Sequence, residues 1–433
     1  MAQGTRIAIV GGGIGGLAAA AFAARAGARV TLFERLSEAG GRARTRSEQG
    51  FAFNMGPHAL YQGGAAMAAL RELGIDPPGQ RPATSGGLAY SAGRLHALPG
   101  GPVSLLATGL LGPREKLELG RLLSRLPRID TRALVGSSLA EFLEREVHSP
   151  RVRDVVLAVI RVTSYSHAPD QLDAGAALDQ LVLGLGPGVR YLDGGWERLV
   201  ESLAVRAREA GAELRTGVRV ERVVHQDAVQ ALELAGGERV SADAVILALG
   251  PGEASALVDC GGHPFFAAAL AACVPVRAAC LDLGLGALPK PRQLFALGIE
   301  RPLYFSVHSA VARLAPEGAA LVQLARYLGP GEEPAREELE GELDALLDCV
   351  QPGWRAHVLT RRLMRELTVT HDLPQAASGG LAGRTPGAVS GIRNLWLAGD
   401  WVGPTGMLAD AAFASARAAA LAAAGARAVR AAA

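Results

Sequence analysis

The run RIAIVGGGIGGLAAAAFAARAGARVTLFE, residues 6–34, leaves few choices for how this chain begins to fold. Its first five residues form a short apolar strand signal, and glycines follow at once. Gly11, Gly13 and Gly16 satisfy the spacing GxGxxG, with Gly15 beside the last of them. The first glycine permits a tight turn, the second lets a pyrophosphate approach the backbone, and the third lets helix and strand pack closely. A helix of Ala and Phe is expected over Leu17 to Arg25, its N-terminus directing partial positive charge at phosphate. A second strand, Arg29 to Phe33, ends at Glu34, whose carboxylate suits ribose hydroxyls and disfavours a 2′-phosphate. Glycine turns alone are common. Strand, glycines, small-residue helix, strand and terminal acid in this order point to a dinucleotide.

The far end of the chain repeats the idea. In IRNLWLAGDWVGPTGMLADAAFASARAAA, residues 392–420, Leu395 opens a buried strand, Asp400 follows it, and Gly406 permits a turn before a helix starting near Met407 or Leu408. A long dinucleotide can reach a second helix start if the fold brings the chain ends together. Asp410, one turn into that helix, reads as structural.

After Glu34 comes RLSEAGGRARTRS, in which Gly40, Gly41 and Arg42 offer close backbone approach and a guanidinium for phosphate. With this turn the chain resembles the FAD-dependent amine oxidase and phytoene desaturase superfamily, nearer the phytoene desaturase-like branch. The resemblance implies that Glu34 binds the adenosine ribose and that Arg42 lies by the pyrophosphate, with Arg35 and Arg44 as neighbours. It implies that Gly399 and Asp400 serve the ribityl-phosphate part of FAD and that Met407 and Leu408 face the flavin. In the central segment YLDGGWERLVESLAVRAREAGAELRTGVRVERVV, it implies a strand whose Val218 contacts adenine. In FAFNMGPHALY, residues 51–61, it implies that Gly56, Pro57 and His58 approach the isoalloxazine, with Tyr61 one turn on. His58 and Tyr61 are the catalytic candidates, because imidazole exchanges a proton near neutrality; a purely structural use of His58 stands beside that.

The resulting expectation is an α/β protein. A Rossmann-like FAD-binding unit is assembled from residues 1–95, 190–265 and 370–433, and a mixed helical and antiparallel-sheet substrate unit from 96–189 and 266–369. In the latter, helices are expected over Pro113 to Leu126 and Leu139 to Arg161. Strands are expected over Arg277 to Leu283, Gln293 to Ile299, Leu303 to Arg313 and Ala320 to Leu328. Leu339, Leu343, Leu346, Leu347 and Val350 make a packing stripe on a helix.

Composition narrows the partners. Nearly half of the 433 residues are apolar and the formal net charge is only +2, so neither disorder nor a nucleic-acid partner is expected. None of the four cysteines forms a CxxC pair, so no metal site is expected. The start MAQGTRIAIV lacks a signal-peptide pattern, and the uncharged windows 7–24 and 95–113 are broken by glycines and prolines. A cytoplasmic setting is expected, possible peripheral membrane contact arising from the apolar stretch LHALPGGPVSLLATGLLGP and the basic helix after it.

Two departures from the resemblance bear on chemistry. The amine-oxidising branch often holds a water near flavin N5 with a Lys, but the only lysines are Lys116 and Lys290, neither well placed. The final helix lacks the cysteine some members use for covalent attachment, so noncovalent FAD is expected. The favoured reading is dehydrogenation or desaturation of a mainly apolar small molecule by hydride transfer to flavin. The alternatives are an amine or amino-acid oxidase and an FAD-bound, non-catalytic assembly protein. His167, Tyr165, His308, Trp354, Arg384 and the pair His371-Asp372 carry no assigned role, and Trp196 reads as packing.

Overall fold

A computed structural model describes residues 4–430, with side chains through residue 425; residues 1–3 and 431–433, the ends of the expected cofactor unit, lie outside the described residues. Five parallel strands form the first sheet, in the order Glu213–Thr216, Arg29–Glu34, Arg6–Val10, Ala244–Leu247, Leu395–Leu397. Three stretches far apart in sequence, 6–34, 213–247 and 395–397, therefore share one sheet. The strands read as continuous apolar runs because both faces are covered, as parallel sheets require.

On one face lie the helices Ile14–Arg25, Glu197–Glu209 and Leu408–Arg430. Alanines at 18–21, 23 and 24 of the first pack with Phe413, Ala416, Ala419, Ala420 and Ala423 of the last. Small residues let the helices approach closely, so the chain ends meet over the sheet. The first helix begins at Ile14, three residues earlier than expected, because Gly13 caps it and its carbonyl accepts from the Leu17 amide at 2.9 Å. The opposite face is covered by the antiparallel meander Val220–His225, Val229–Leu234, Arg239–Ser241 and by Phe266.

The second large sheet has seven strands, in the order Val358–Thr370, Val276–Leu285, Ala320–Leu328, Leu303–Ser306, Phe295–Gly298, Leu88–Ser91, Arg94–Ala97. All neighbours are antiparallel except Phe295–Gly298 with Leu88–Ser91. The helix Arg336–Val350 packs its five-residue apolar stripe on one face. Helices Pro113–Arg125, Leu139–Glu146, Pro150–Ser164 and Ala174–Leu185 cover the other. The strand expected over 303–313 stops at Ser306. Val307 still donates to the Leu294 carbonyl at 2.9 Å, and the chain then turns into the 3₁₀ segment His308–Ala310, where the Ser309 hydroxyl oxygen accepts from the Leu321 amide at 2.8 Å in place of a continued ladder.

Candidate cofactor and substrate site

The glycine loop sits at the carboxyl end of Arg6–Val10, and its demands are steric. Gly11 has φ +106°, and a Cβ there would lie 2.4 Å from the Ala248 carbonyl oxygen. A Cβ on Gly16 would lie 1.9 Å from the Gly11 carbonyl oxygen, so helix and loop touch through backbone alone. Gly13 differs: no protein atom lies within 4 Å of where its Cβ would be, and it lines a cavity of about 670 Å³. Space is therefore kept at the first turn of the helix, where free amides point.

Glu34 is buried at the same rim. Its carboxylate accepts from the Gly12 amide at 2.7 Å and the Leu36 amide at 2.9 Å, fixing both oxygens beside the loop. The GGR turn docks next to it: the Gly40 amide donates to Gly12 at 2.8 Å, and Gly41–Ala43 continues as a 3₁₀ turn. Arg35 is exposed at the cavity edge. Val218 lies between two strands, not within one, and its amide donates to the Glu34 carbonyl at 2.9 Å; with Val220 and Leu257 it forms an apolar end of the cavity.

Arg42 reaches across the cavity. It donates to the carbonyls of Val369 and Thr368 at 2.9 and 3.3 Å and pairs with Asp400 at 2.8 Å. The other Asp400 oxygen lies 2.9 Å from Nδ1 of His371. Burial alone would raise the Asp400 carboxyl; the charge of Arg42 and the hydrogen bond from His371 outweigh it and hold the group well below the usual carboxylate range. Arg384, buried, donates to the Asp400 and Gly406 carbonyls at 3.1 and 2.7 Å, fixing the turn before the last helix. Gly399 and Leu408 line the cavity, whereas Met407 is buried outside its wall. Asp410 accepts from the Ala66 amide at 2.7 Å and so ties the last helix to the start of Ala65–Glu72, as a structural residue would.

The cavity continues to Met55, Pro57, His58, Tyr61, Tyr165, Trp196, Cys280 and Leu367. Gly56 turns the chain with φ +78°, lying over Cys280 and Leu367. The His58 ring packs edge-on to Trp196 at 4.9 Å and holds Nδ1 3.0 Å from the Gly56 carbonyl, which can only accept, so that nitrogen carries a proton. Burial, reinforced by the charge of Arg42, pushes its pKa down and keeps the ring neutral near pH 7. The hydroxyls of Tyr61 and Tyr165 donate to the carbonyls of Thr163 and Pro57, each at 2.8 Å, and burial raises both. Burial also pushes the Cys280 thiol up, away from the reactive thiolate. No lysine lines this cavity among the described residues.

Several lining residues lacked any sequence signal. Trp196 packs as expected but also forms wall, and His371 gains a partner 29 residues away rather than its neighbour Asp372, which accepts from the Val274 amide. His308 stacks on Tyr191 at 3.7 Å, and Trp354 packs under the seven-stranded sheet; neither lines the cavity, nor does His167.

The sequence pattern of the family described as "Flavin containing amine oxidoreductase" matches residues 14–280. The chain belongs to this family. Family membership implies FAD, and the open glycine rim, the buried Glu34 and the Asp400 turn fit a dinucleotide. The chain is similar to a 4,4′-diapolycopen-4-al dehydrogenase of Metabacillus indicus, 26% identical over 281 residues covering 56% of this chain and 55% of that protein. It is similar also to a zeta-carotene-forming phytoene desaturase of Myxococcus xanthus, 28% identical over 279 residues covering 56% and 53%. The chain thus spans about half the length of the curated relatives it matches. In fold it resembles an oxidoreductase from Methanosarcina mazei, with TM-score 0.74 and 19% identity over 95% of this chain and 99% of that one. The cyclohexylamine oxidase of Brevibacterium oxydans gives TM-score 0.69 and 18% identity over 98% and 99%.

Proposed function

We propose that this flavoprotein dehydrogenates or desaturates a mainly apolar small molecule, with FAD held noncovalently. One observation carries the reading: a single cavity runs from the glycine rim past Asp400 to a wall of Met55, Pro57, Tyr61, Tyr165, Trp196 and Leu367. FAD supplies the hydride acceptor. Glu34 would hold the adenosine ribose and Asp400 the ribityl-phosphate region, with Arg42 and His371 fixing the carboxylate of Asp400. Leu408 would border the flavin. At the other end, His58 and Tyr61 would border the reacting carbon as positioning groups, since the Tyr61 proton is engaged by a carbonyl and His58 is neutral. Apolar burial is worth about 25 cal/mol per Å², so such a wall can bind a hydrocarbon without an ion pair.

Two parts follow this division of labour. Residues 1–95, 190–265 and 370–433 would carry the cofactor, and 96–189 and 266–369 the substrate. The helix Pro102–Ala107 projects Val103 and Leu106, 82% and 75% exposed, beside a helix bearing Arg114, Lys116 and Arg121. That surface suits peripheral contact with an anionic membrane from the cytoplasmic side. No helix among the described residues is long and apolar enough to cross one.

Denaturing purified protein and chromatographing the released cofactor tests the first claim. FAD in solution and none bound to the polypeptide is expected. Protein that binds only NAD(H), or flavin that stays on the chain, would overturn it.

A further inference from the structure

Arg42, the cation expected at the cofactor phosphates, is engaged by protein groups. Arg42 clasps two carbonyls of the strand Val358–Thr370 and one oxygen of Asp400. The neighbouring His371 is differently placed. It directly follows that strand, lines the cavity, and its side chain is 25% exposed. Nδ1 faces the carboxylate of Asp400 at 2.9 Å, and a carboxylate held ionised can only accept, so Nδ1 carries a proton. The Arg42 guanidinium, 3.3 Å from the same nitrogen, is then a second cation edge and not its donor. Nε2 has no hydrogen-bond partner among the described residues.

Gly250 explains why that edge stays open. It caps the helix Pro251–Ala256 just beyond Ala248, which abuts the glycine loop. A Cβ on Gly250 would lie 2.6 Å from Nε2 of His371 and 2.5 Å from a carboxylate oxygen of Glu253. The absent side chain leaves the imidazole room at the wall between the phosphate rim and Asp400.

Resting on the FAD reading, we propose that His371 is a phosphate-binding residue. Asp400 orients the ring through Nδ1, and Nε2–H donates to a pyrophosphate oxygen of the cofactor. The paired imidazole is a charge-assisted donor, a role a fixed Asp–His pair suits. The charged groups facing the ring are Arg42 from the GGR turn, Asp400 from the carboxy-terminal turn and Glu253 from the short helix. Asp372 turns away to the Val274 amide, and Arg384 donates to the backbone carbonyls of Asp400 and Gly406.

The test titrates FAD-free protein with FAD, ADP and adenosine. His371→Asn keeps a donor for Asp400 and removes Nε2; His371→Ala, which removes both, serves as a second variant, and thermal unfolding checks that each is folded. The expected result is FAD and ADP affinity lowered about ten- to a hundredfold, with adenosine affinity unchanged. Variants that bind FAD and ADP like wild type, or lose adenosine equally, would overturn the assignment. Wild-type protein that binds no FAD would instead overturn the cofactor reading, and this proposal with it.

Discussion

Asp400 and Asp410 stand ten residues apart near one cavity, yet their surroundings move them in opposite directions. Asp400 is held low by Arg42 and His371 against the effect of burial, so its ionised form stabilises the fold. That contribution is present above the unfolded value near pH 4 and is lost as pH falls below it. Asp400→Asn should cost roughly 1–3 kcal/mol at pH 7, less than a fully buried pair because Arg42 is 42% exposed. Urea unfolding should show the gap between variant and wild type narrowing as pH falls below about 4. A gap that stays constant would contradict the assigned pairing. Asp410 is pushed up to about 6 by burial, though its Oδ1 caps Ala66. The folded state therefore prefers the protonated acid, and stability falls as pH rises from the unfolded value through about 6. Asp410→Asn keeps the accepting oxygen and cannot ionise. It should be more stable than wild type at about pH 8 and lose that margin at about pH 4.5, a crossover visible in unfolding curves; parallel curves would sink the explanation.

At the scale of elements, the glycine loop offers a paired test. Gly16→Ala forces a methyl onto the Gly11 carbonyl and should destabilise the fold by several kcal/mol or prevent folding, scored by expression and thermal unfolding. Gly13→Ala meets no protein atom, so unfolding should barely change while FAD affinity falls. Equal damage from both would mean that the gap at Gly13 is not ligand space. This loop was legible in sequence because its constraints are local: a turn, a close approach and an apolar strand on each side. The stripe Leu339, Leu343, Leu346, Leu347, Val350 was legible for the same reason, since one helix period sets it. The early end of the strand at Ser306 was not, because it turns on a non-local contact: the Leu321 amide of the neighbouring strand is met by the Ser309 hydroxyl instead of by a continued ladder. His371 was illegible on the same ground: its partner Asp400 reaches it only when the strand Val358–Thr370 runs beneath the carboxy-terminal turn. Adjacent spelling, His371-Asp372, suggested a pair that the backbone separates.

Taken as a whole, the molecule joins two sheets of different character through one cavity. The parallel sheet gathers both chain ends and supplies backbone amides and carboxylates at its strand ends. The seven-stranded sheet contributes Cys280, Leu367 and Val369, and its edge strand is clasped by Arg42. Backbone amides and charged groups line the cavity beside the glycine rim and Asp400, and apolar side chains line it beyond, Val218, Val220 and Leu257 on one side and Met55, Pro57 and Leu367 on the other; the proposed apolar substrate would use the second. Dehydrogenation of an apolar molecule and amine oxidation are the two readings to separate, and substrate is where they diverge. The most direct measurement is anaerobic mixing of the FAD-loaded protein with matched panels of isoprenoid polyenes and primary amines, following flavin absorbance and product mass. The account predicts bleaching of the oxidised flavin by an apolar substrate, with a product two hydrogens lighter. Rapid bleaching by an amine, and none by any member of the apolar panel, would contradict it.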